Sequence, residues 1–153
     1  MRLVAATLIG GTIGLNREMR HRPAGLKTHA LVGLGAALVT LIMAALTDLD
    51  HPESQAMSRV IPGIIAGIGF LGGGAILKDG DTVRGVTTAA TIWVVAALGV
   101  ACGAGFFGAA LIALAIALLV LILGSRIERL FQPKNPSATA GLPRPSDSGP
   151  ERP

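Results

Sequence analysis

Five apolar runs separated by short polar loops constrain this 153-residue chain more than any other feature. They occupy residues 3–15, 30–46, 60–77, 86–105 and 106–124, and none contains a charged side chain. A helix needs about 20 predominantly apolar residues, and no fewer than about 17, to cross a bilayer. Runs two to five reach that length, while the first is short as it stands. Composition agrees with the pattern. Charged residues are 14% of the chain, against about 25% in a soluble domain. The expected class is all-α: a polytopic membrane protein of about five transmembrane helices, packed through glycine and alanine.

The loops carry the orientation. Between runs one and two lies NREMRHRPAGLKTH, where Arg17, Arg20, Arg22 and Lys27 face one acid, Glu18. The next loop, TDLDHPESQAMSR, sets Asp48, Asp50 and Glu53 against Arg59. Lys78 and Arg84 lie in KDGDTVRG, the junction GAGFFG is uncharged, and Arg126, Arg129 and Lys134 follow the last run. Lysine and arginine collect in cytoplasmic loops. The alternation therefore predicts five spans in a bacterial inner membrane, with the amino terminus outside and the carboxyl terminus in the cytoplasm. A net charge of +4 could suit nucleic acid. The clustering of the basic residues between apolar runs instead excludes a nucleic-acid partner and points to the lipid bilayer. Residues 1–126 read as the membrane domain and 127–153 as a disordered cytoplasmic tail. Its proline-, serine- and glycine-rich part begins at Gln132.

The stretch GIGFLG, from Gly67 to Gly72, fits the dinucleotide pattern G-x-G-x-x-G. That loop must follow a buried strand and be trailed by an acid for the ribose. Here Pro62 and Gly63 interrupt the preceding run, and no acid occurs between Asp81 and Glu128. The glycines suit helix packing better, since small residues let backbones approach in lipid. At helical spacing Gly63, Gly67 and Gly74 share one line, and Pro62, Ala66, Gly69 and Gly73 a neighbouring one. Ile61, Ile64, Ile65, Ile68 and Leu71 take the opposite side. The third run is expected to be the central helix, with its glycine face, Gly72 included, against two neighbours and its isoleucines toward lipid. The triplet Gly72, Gly73, Gly74 leaves local unwinding open as an alternative to tight packing. The fifth run, with a stripe at Ala110, Ala113 and Ala117, is expected at the periphery.

Candidate chemistry is confined to the ends of the spans. Arg17, Glu18, Arg20, Lys27, Thr28 and His29 surround the turn signal Pro23-Ala24-Gly25. Arg84, Thr87, Thr88 and Thr91 open the fourth span on the same side. Together they form the candidate functional polar cluster, with Glu18 expected to be buried against a cation such as Arg17 or Lys27. The threonine hydroxyls have two options, bonding back to helix carbonyls or capping that cluster. Basic loops of this kind also attract anionic lipid. Asp48, Asp50 and Glu53 are the acid cluster that a divalent cation could use. No Ser/His/acid set or Cys/His metal spacing occurs, so neither an enzyme nor a cofactor is expected. Cys102, the single cysteine, reads as a small buried hydrophobe.

Three stretches are long and specific: GLNREMRHRPAGLKTHALVGLGAAL, SRVIPGIIAGIGFLGGGAI and VRGVTTAATIWVVAALGVACGAG. Over residues 3–105 they resemble the membrane domain of the MgtC/SapB family. The family pattern differs at four places. It has glutamate where this chain has Asn16, arginine at Lys27, alanine at Gly73, and an aspartate just before Arg59. The resemblance implies an inner-membrane protein tied to magnesium homeostasis and growth in low magnesium, and in some pathogens to survival inside host cells. Many members carry the description of magnesium transporters, and some act by binding other membrane proteins. Many also have a carboxy-terminal ACT-like domain, in place of which this chain is expected to end in its tail. Two functions follow as expectations. One is an accessory or regulatory protein acting through helix contacts with another membrane protein or a second copy. The other is a transporter passing magnesium or another small solute along a glycine-lined path.

Overall fold

The computed structural model describes residues 1–50 and 55–131, the side chains described being those of 1–46, 60–128 and 130. Glu53, the side chains of Asp48 and Asp50, and the tail from Gln132 lie outside what is described. The described residues form five helices: α1 (Arg2–Glu18), α2 (Leu26–Asp50), α3 (Gln55–Gly74), α4 (Val86–Ala104) and α5 (Phe107–Phe131). The loop between α3 and α4 forms a small antiparallel hairpin, β1 (Leu77–Asp79) and β2 (Thr82–Arg84). Its two-residue turn starts at Gly80, whose φ of 58 supplies the positive angle such turns favour. Among the described residues, three helical stretches are long and apolar enough to cross a membrane: Leu26–Leu46, Val86–Ala104 and Phe107–Glu128. The apolar part of α3, Val60–Gly74, is shorter, and α1 has 17 residues.

Helices α1, α2 and α4 form the packed centre of the compact unit Met1–Leu121. Glycines set how closely they approach. A Cβ on Gly10 would lie 2.5 Å from the His29 carbonyl oxygen, one on Gly14 2.7 Å from that of Gly25, and one on Gly33 2.8 Å from that of Ala6. These partners run in opposite directions along the two chains, so α1 and α2 are antiparallel. On α4, a Cβ at Gly99 would lie 2.5 Å from the Gly33 oxygen and one at Gly103 2.6 Å from that of Ala37. These run in the same direction, so α2 and α4 are parallel. Ala6, Ile9, Ile13, Val95, Leu98 and Cys102 fill the core between the contacts. Arg2 ties the far end, its Nη1 donating to the Gly103 carbonyl at 3.0 Å. A cation there suits the negative end of α4.

Helix α3 corrects the expectation made for it. Its isoleucine face packs and its glycine face does not. Ile68 is buried, with Ile64 half-buried, in a cluster with Ala36, Ile92 and Ala96. Ile61, Ile64, Ile65 and Ile68 line an apolar cavity of about 110 Å³ with Trp93, Ala96, Ala97 and Val100 of α4. Gly63, Gly67, Gly69, Gly73 and Gly74 have nothing within 4 Å of an added Cβ, and only Gly72 approaches a neighbour, Ala89. The physical reason is that α1, α2 and α4 already supply one another's close backbone contacts. That leaves α3 an apolar groove on α4, where Ala96 and Ala97 make room between Ile92, Trp93 and Val100 for its isoleucines. The triplet does not unwind the helix. It stays helical through Gly74, where Ala75 N donates to Leu71 O and Gly72 O. Gly85, at φ 88, follows the hairpin, and a side chain there would run into the Ala75 carbonyl.

Helix α5 lies at the edge of the compact unit. Ala110 is fully buried, and Leu114, Ala117, Leu118 and Leu121 pack beside it, whereas Ala113 is exposed. From Ile122 onward a second unit begins, in which Ser125 Oγ donates back to Ile122 O at 2.9 Å.

Two alanine substitutions separate the two kinds of glycine. Gly99→Ala should destabilise the protein in detergent by about 1–3 kcal/mol, the usual cost of overpacking. Gly67→Ala should leave the thermal midpoint unchanged or raise it, since alanine favours helix by about 1 kcal/mol in water. Equal losses for both would show that the α3 glycines are covered.

Candidate functional site

The site forms where α1 ends and α2 and α4 begin. Arg17 lies in the last turn of α1, where the helix dipole favours a cation. The turn that follows places His21 and Ala24 at φ 52 and 56, and it presents the Pro23 and Ala24 carbonyls to the guanidinium. Nε of Arg17 donates to both oxygens at 3.3 Å, and Nη2 donates to Pro23 O at 2.9 Å. Nη2 also donates to Thr88 Oγ1 at 2.5 Å. Only 3% of Arg17 remains exposed. One buried cation thus joins the end of α1, the α1–α2 turn and the first turns of α4.

His29 makes the second link. It is fully buried one turn into α2, because Gly10 of α1 lets the His29 backbone come close. Nδ1 lies 3.0 Å from Gly25 O, and the backbone N–H of His29 donates to the same oxygen at 3.2 Å. A carbonyl can only accept, so Nδ1 carries a proton. Nε2 lies 3.1 Å from Thr91 Oγ1, and Thr91 Oγ1 lies 2.9 Å from Thr88 O. Thr88 and Thr91 are both buried. The threonines therefore do both of the things the sequence left open. Thr88 receives the polar cluster, and Thr91 touches both the cluster and its own helix.

Glu18 departs from the expectation. It is exposed, and Arg17 directs its donors to Pro23, Ala24 and Thr88, away from the carboxylate. Its Oε2 accepts the Leu26 backbone N–H at 2.8 Å, at the start of α2. An acid is favoured there because the first N–H groups of a helix lack intrahelical partners. Gly25 makes room for it, since a Cβ there would sit 2.7 Å from Oε2. Lys27, Thr28, Arg84 and Thr87 are exposed and Arg20 half-buried, so the buried network holds Arg17, His29, Thr88 and Thr91 of the ten candidates. The carbonyls of Pro23, Ala24 and Gly25 complete the site, although side-chain chemistry could not single them out. The one available signal was the four-residue spacing of Gly25 and His29 after a proline turn. Among the described residues, no group of three or more His, Cys, Asp or Glu comes together.

Substitutions should rank by burial. Arg17→Met strands part-buried carbonyls and the Thr88 hydroxyl, and should cost about 1–3 kcal/mol. Glu18→Gln keeps an oxygen for Leu26 N and should cost less than about 1 kcal/mol. Thermal unfolding in detergent checks the order, and an equal or larger loss for Glu18→Gln would place the acid in the network after all.

Comparison with known proteins fits this arrangement. A model of the MgtC family matches residues 3–130. Protein MgtC of Brucella abortus (strain 2308) is 47% identical over 111 residues, which is 72% of this chain and 44% of that protein. Protein MgtC of Salmonella typhimurium (strain LT2) is 46% identical over 123 residues, 80% of this chain and 51% of the other. Protein SrpB of Synechococcus elongatus is 41% identical over 138 residues, 84% of this chain and 76% of the other. The chain spans about half the length of the two MgtC proteins. No solved structure matches. With helices of membrane-spanning length and a match covering nearly all of the helical region, this chain is a membrane protein that belongs to the MgtC family.

Proposed function

We propose that the chain is a non-enzymatic accessory protein of the bacterial inner membrane, tied to magnesium homeostasis and acting through helix contacts with another membrane protein. The magnesium link rests on family membership. The mode of action rests on one observation. The polar side chains that reach into the bundle spend their hydrogen bonds on its own turn and helix ends, from Arg17 to Thr88 and from His29 to Thr91. An ion pathway uses ionisable groups that face water or substrate. A cavity of about 250 Å³ beside this network, lined by Ile13, Thr87, Ala90, Thr91, Val94 and Ala117 among others, is apolar. A bundle knitted internally, with large apolar outer faces, suits contact with other helices.

A transporter is the second reading. It is favoured by a groove of about 390 Å³ between α2 and α3, where Gly35, Gly63 and Gly67 leave backbone uncovered. Magnesium flux into liposomes holding the purified protein decides between the two. The accessory reading expects no flux above empty liposomes, and flux above that level overturns it.

The orientation belongs to the same proposal, with the amino terminus outside and the carboxyl terminus cytoplasmic. The contacts Arg17–Thr88 and His29–Thr91 support it, because they bring both basic loops to one end of the bundle. In a Cys102→Ala background, Phe106→Cys should react with an impermeant thiol reagent on intact cells, while Arg22→Cys should react only after permeabilisation. The reverse pattern inverts the orientation.

A further inference from the structure

The Thr91 hydroxyl carries one proton but faces two acceptors. Thr88 O lies 2.9 Å away and His29 Nε2 lies 3.1 Å away. Which of them receives the proton depends on the ring. With Nδ1 bound to Gly25 O, a neutral imidazole has a bare Nε2, and the hydroxyl donates to it. Thr88 O then keeps its ordinary helical N–H partner. A second proton on the ring turns Nε2 into a donor. The Thr91 oxygen then accepts from the ring, and its own proton swings to Thr88 O.

The second state is costly for a reason visible in the geometry. Arg17 already donates to Thr88 Oγ1, one turn of α4 away from Thr91. A charged ring would place two cations on the first two turns of α4, the positive end of that helix dipole. The other charged groups near His29 offer little relief. Glu18 of α1 lies at the start of α2, exposed, where Leu26 N–H occupies its Oε2. Lys27 of α2, Arg22 of the α1–α2 turn and Arg84 ahead of α4 are exposed cations, and Arg20 is a half-buried one. The described side chains of α3 within Val60–Gly74 are apolar or glycine, and those of α4 include no charged group.

We propose that His29 and Thr91 form a proton-gated link between α2 and α4, closed while the ring is neutral and, once the ring takes a second proton, loosened by repulsion between the charged ring and Arg17, which outweighs the reversed hydrogen bond. The ligand is the proton itself. Binding needs no other reactant: the proton comes from solvent, and the Thr91 hydroxyl hydrogen changes acceptor without leaving its oxygen. Loosening frees the second turn of α4 from α2, while Arg17 still holds Thr88 in the first turn.

The test uses the full chain in lipid nanodiscs, with His21→Gln, His51→Gln and Cys102→Ala so that His29 is the sole histidine. Spin labels at exposed positions Leu31 of α2 and Ala90 of α4 report the separation of the helix starts. Between about pH 8 and about pH 5, either side of the ordinary histidine range, the single close population should broaden toward longer distances. Thr91→Val should be broad at both values, and His29→Asn should show no pH response. An unchanged distribution in the unsubstituted link overturns the proposal. So does a pH response that survives in His29→Asn, because another group would then be the sensor. Should neither variant fold, ¹⁵N shifts of the His29 ring decide alone. A protonated Nδ1 and bare Nε2 near pH 8, converting to two protonated nitrogens on acidification, are expected. A protonated Nε2 already present near pH 8 overturns the proposal.

Discussion

Close backbone approach between α1, α2 and α4 is the constraint on which the remaining structure depends. Hydrocarbon gives helices little reason to associate except packing, and packing improves as axes come together. Here Gly10, Gly14, Gly33, Gly99 and Gly103 bring added-Cβ positions within 2.8 Å of a neighbouring carbonyl oxygen. No other residue type tolerates that distance. The consequence reaches beyond stability. The contacts of Gly14 with Gly25 and of Gly10 with His29 set the register of α2 on α1, and that of Gly99 with Gly33 sets α4 on α2. With both registers set, Arg17 meets Thr88 and His29 meets Thr91.

The polar network is therefore a product of apolar packing. Burying a guanidinium is expensive unless its donors are used. Arg17 uses them on the Pro23 and Ala24 carbonyls of the turn, and on a hydroxyl from a distant part of the chain. The turn, α1 and α4 each solve part of the others' hydrogen-bonding problem. His29 repeats the solution one turn deeper, with Gly25 O on one nitrogen and Thr91 on the other. At the opposite end Arg2 closes α4 by donating to Gly103 O. The central helices are pinned by a cation at each end and by glycine contacts between.

Against that centre, α3 is held differently. It contributes Ile68 and Ile64 to a small cluster and leaves most of its glycines uncovered within the chain. Helix α5 buries Ala110 and exposes a leucine-rich surface. Both surfaces stay open within the described residues of this chain.

Much of this was legible in the residues. Run length and loop charge gave the five helices, and the small-residue spacing gave the mode of packing. Polar residues at span ends gave Arg17, His29, Thr88 and Thr91 as candidates. A helical repeat states which residues share a face. It does not state what that face meets, so the glycine lines of α3 and of α1 look alike in sequence although one is open and the other packed. For the same reason Glu18 looked like an ion-pair partner for its neighbour Arg17. Adjacent residues on a helix diverge by about 100°, and the chain turned one toward α4 and the other toward the start of α2. The amino-acid sequence by itself determined the membrane class, the helices and the chemistry available at their ends. Only the tertiary structure decided which backbones touch, and hence which hydroxyls the buried arginine and histidine find, because those partners lie far apart along the chain and meet only through helix register.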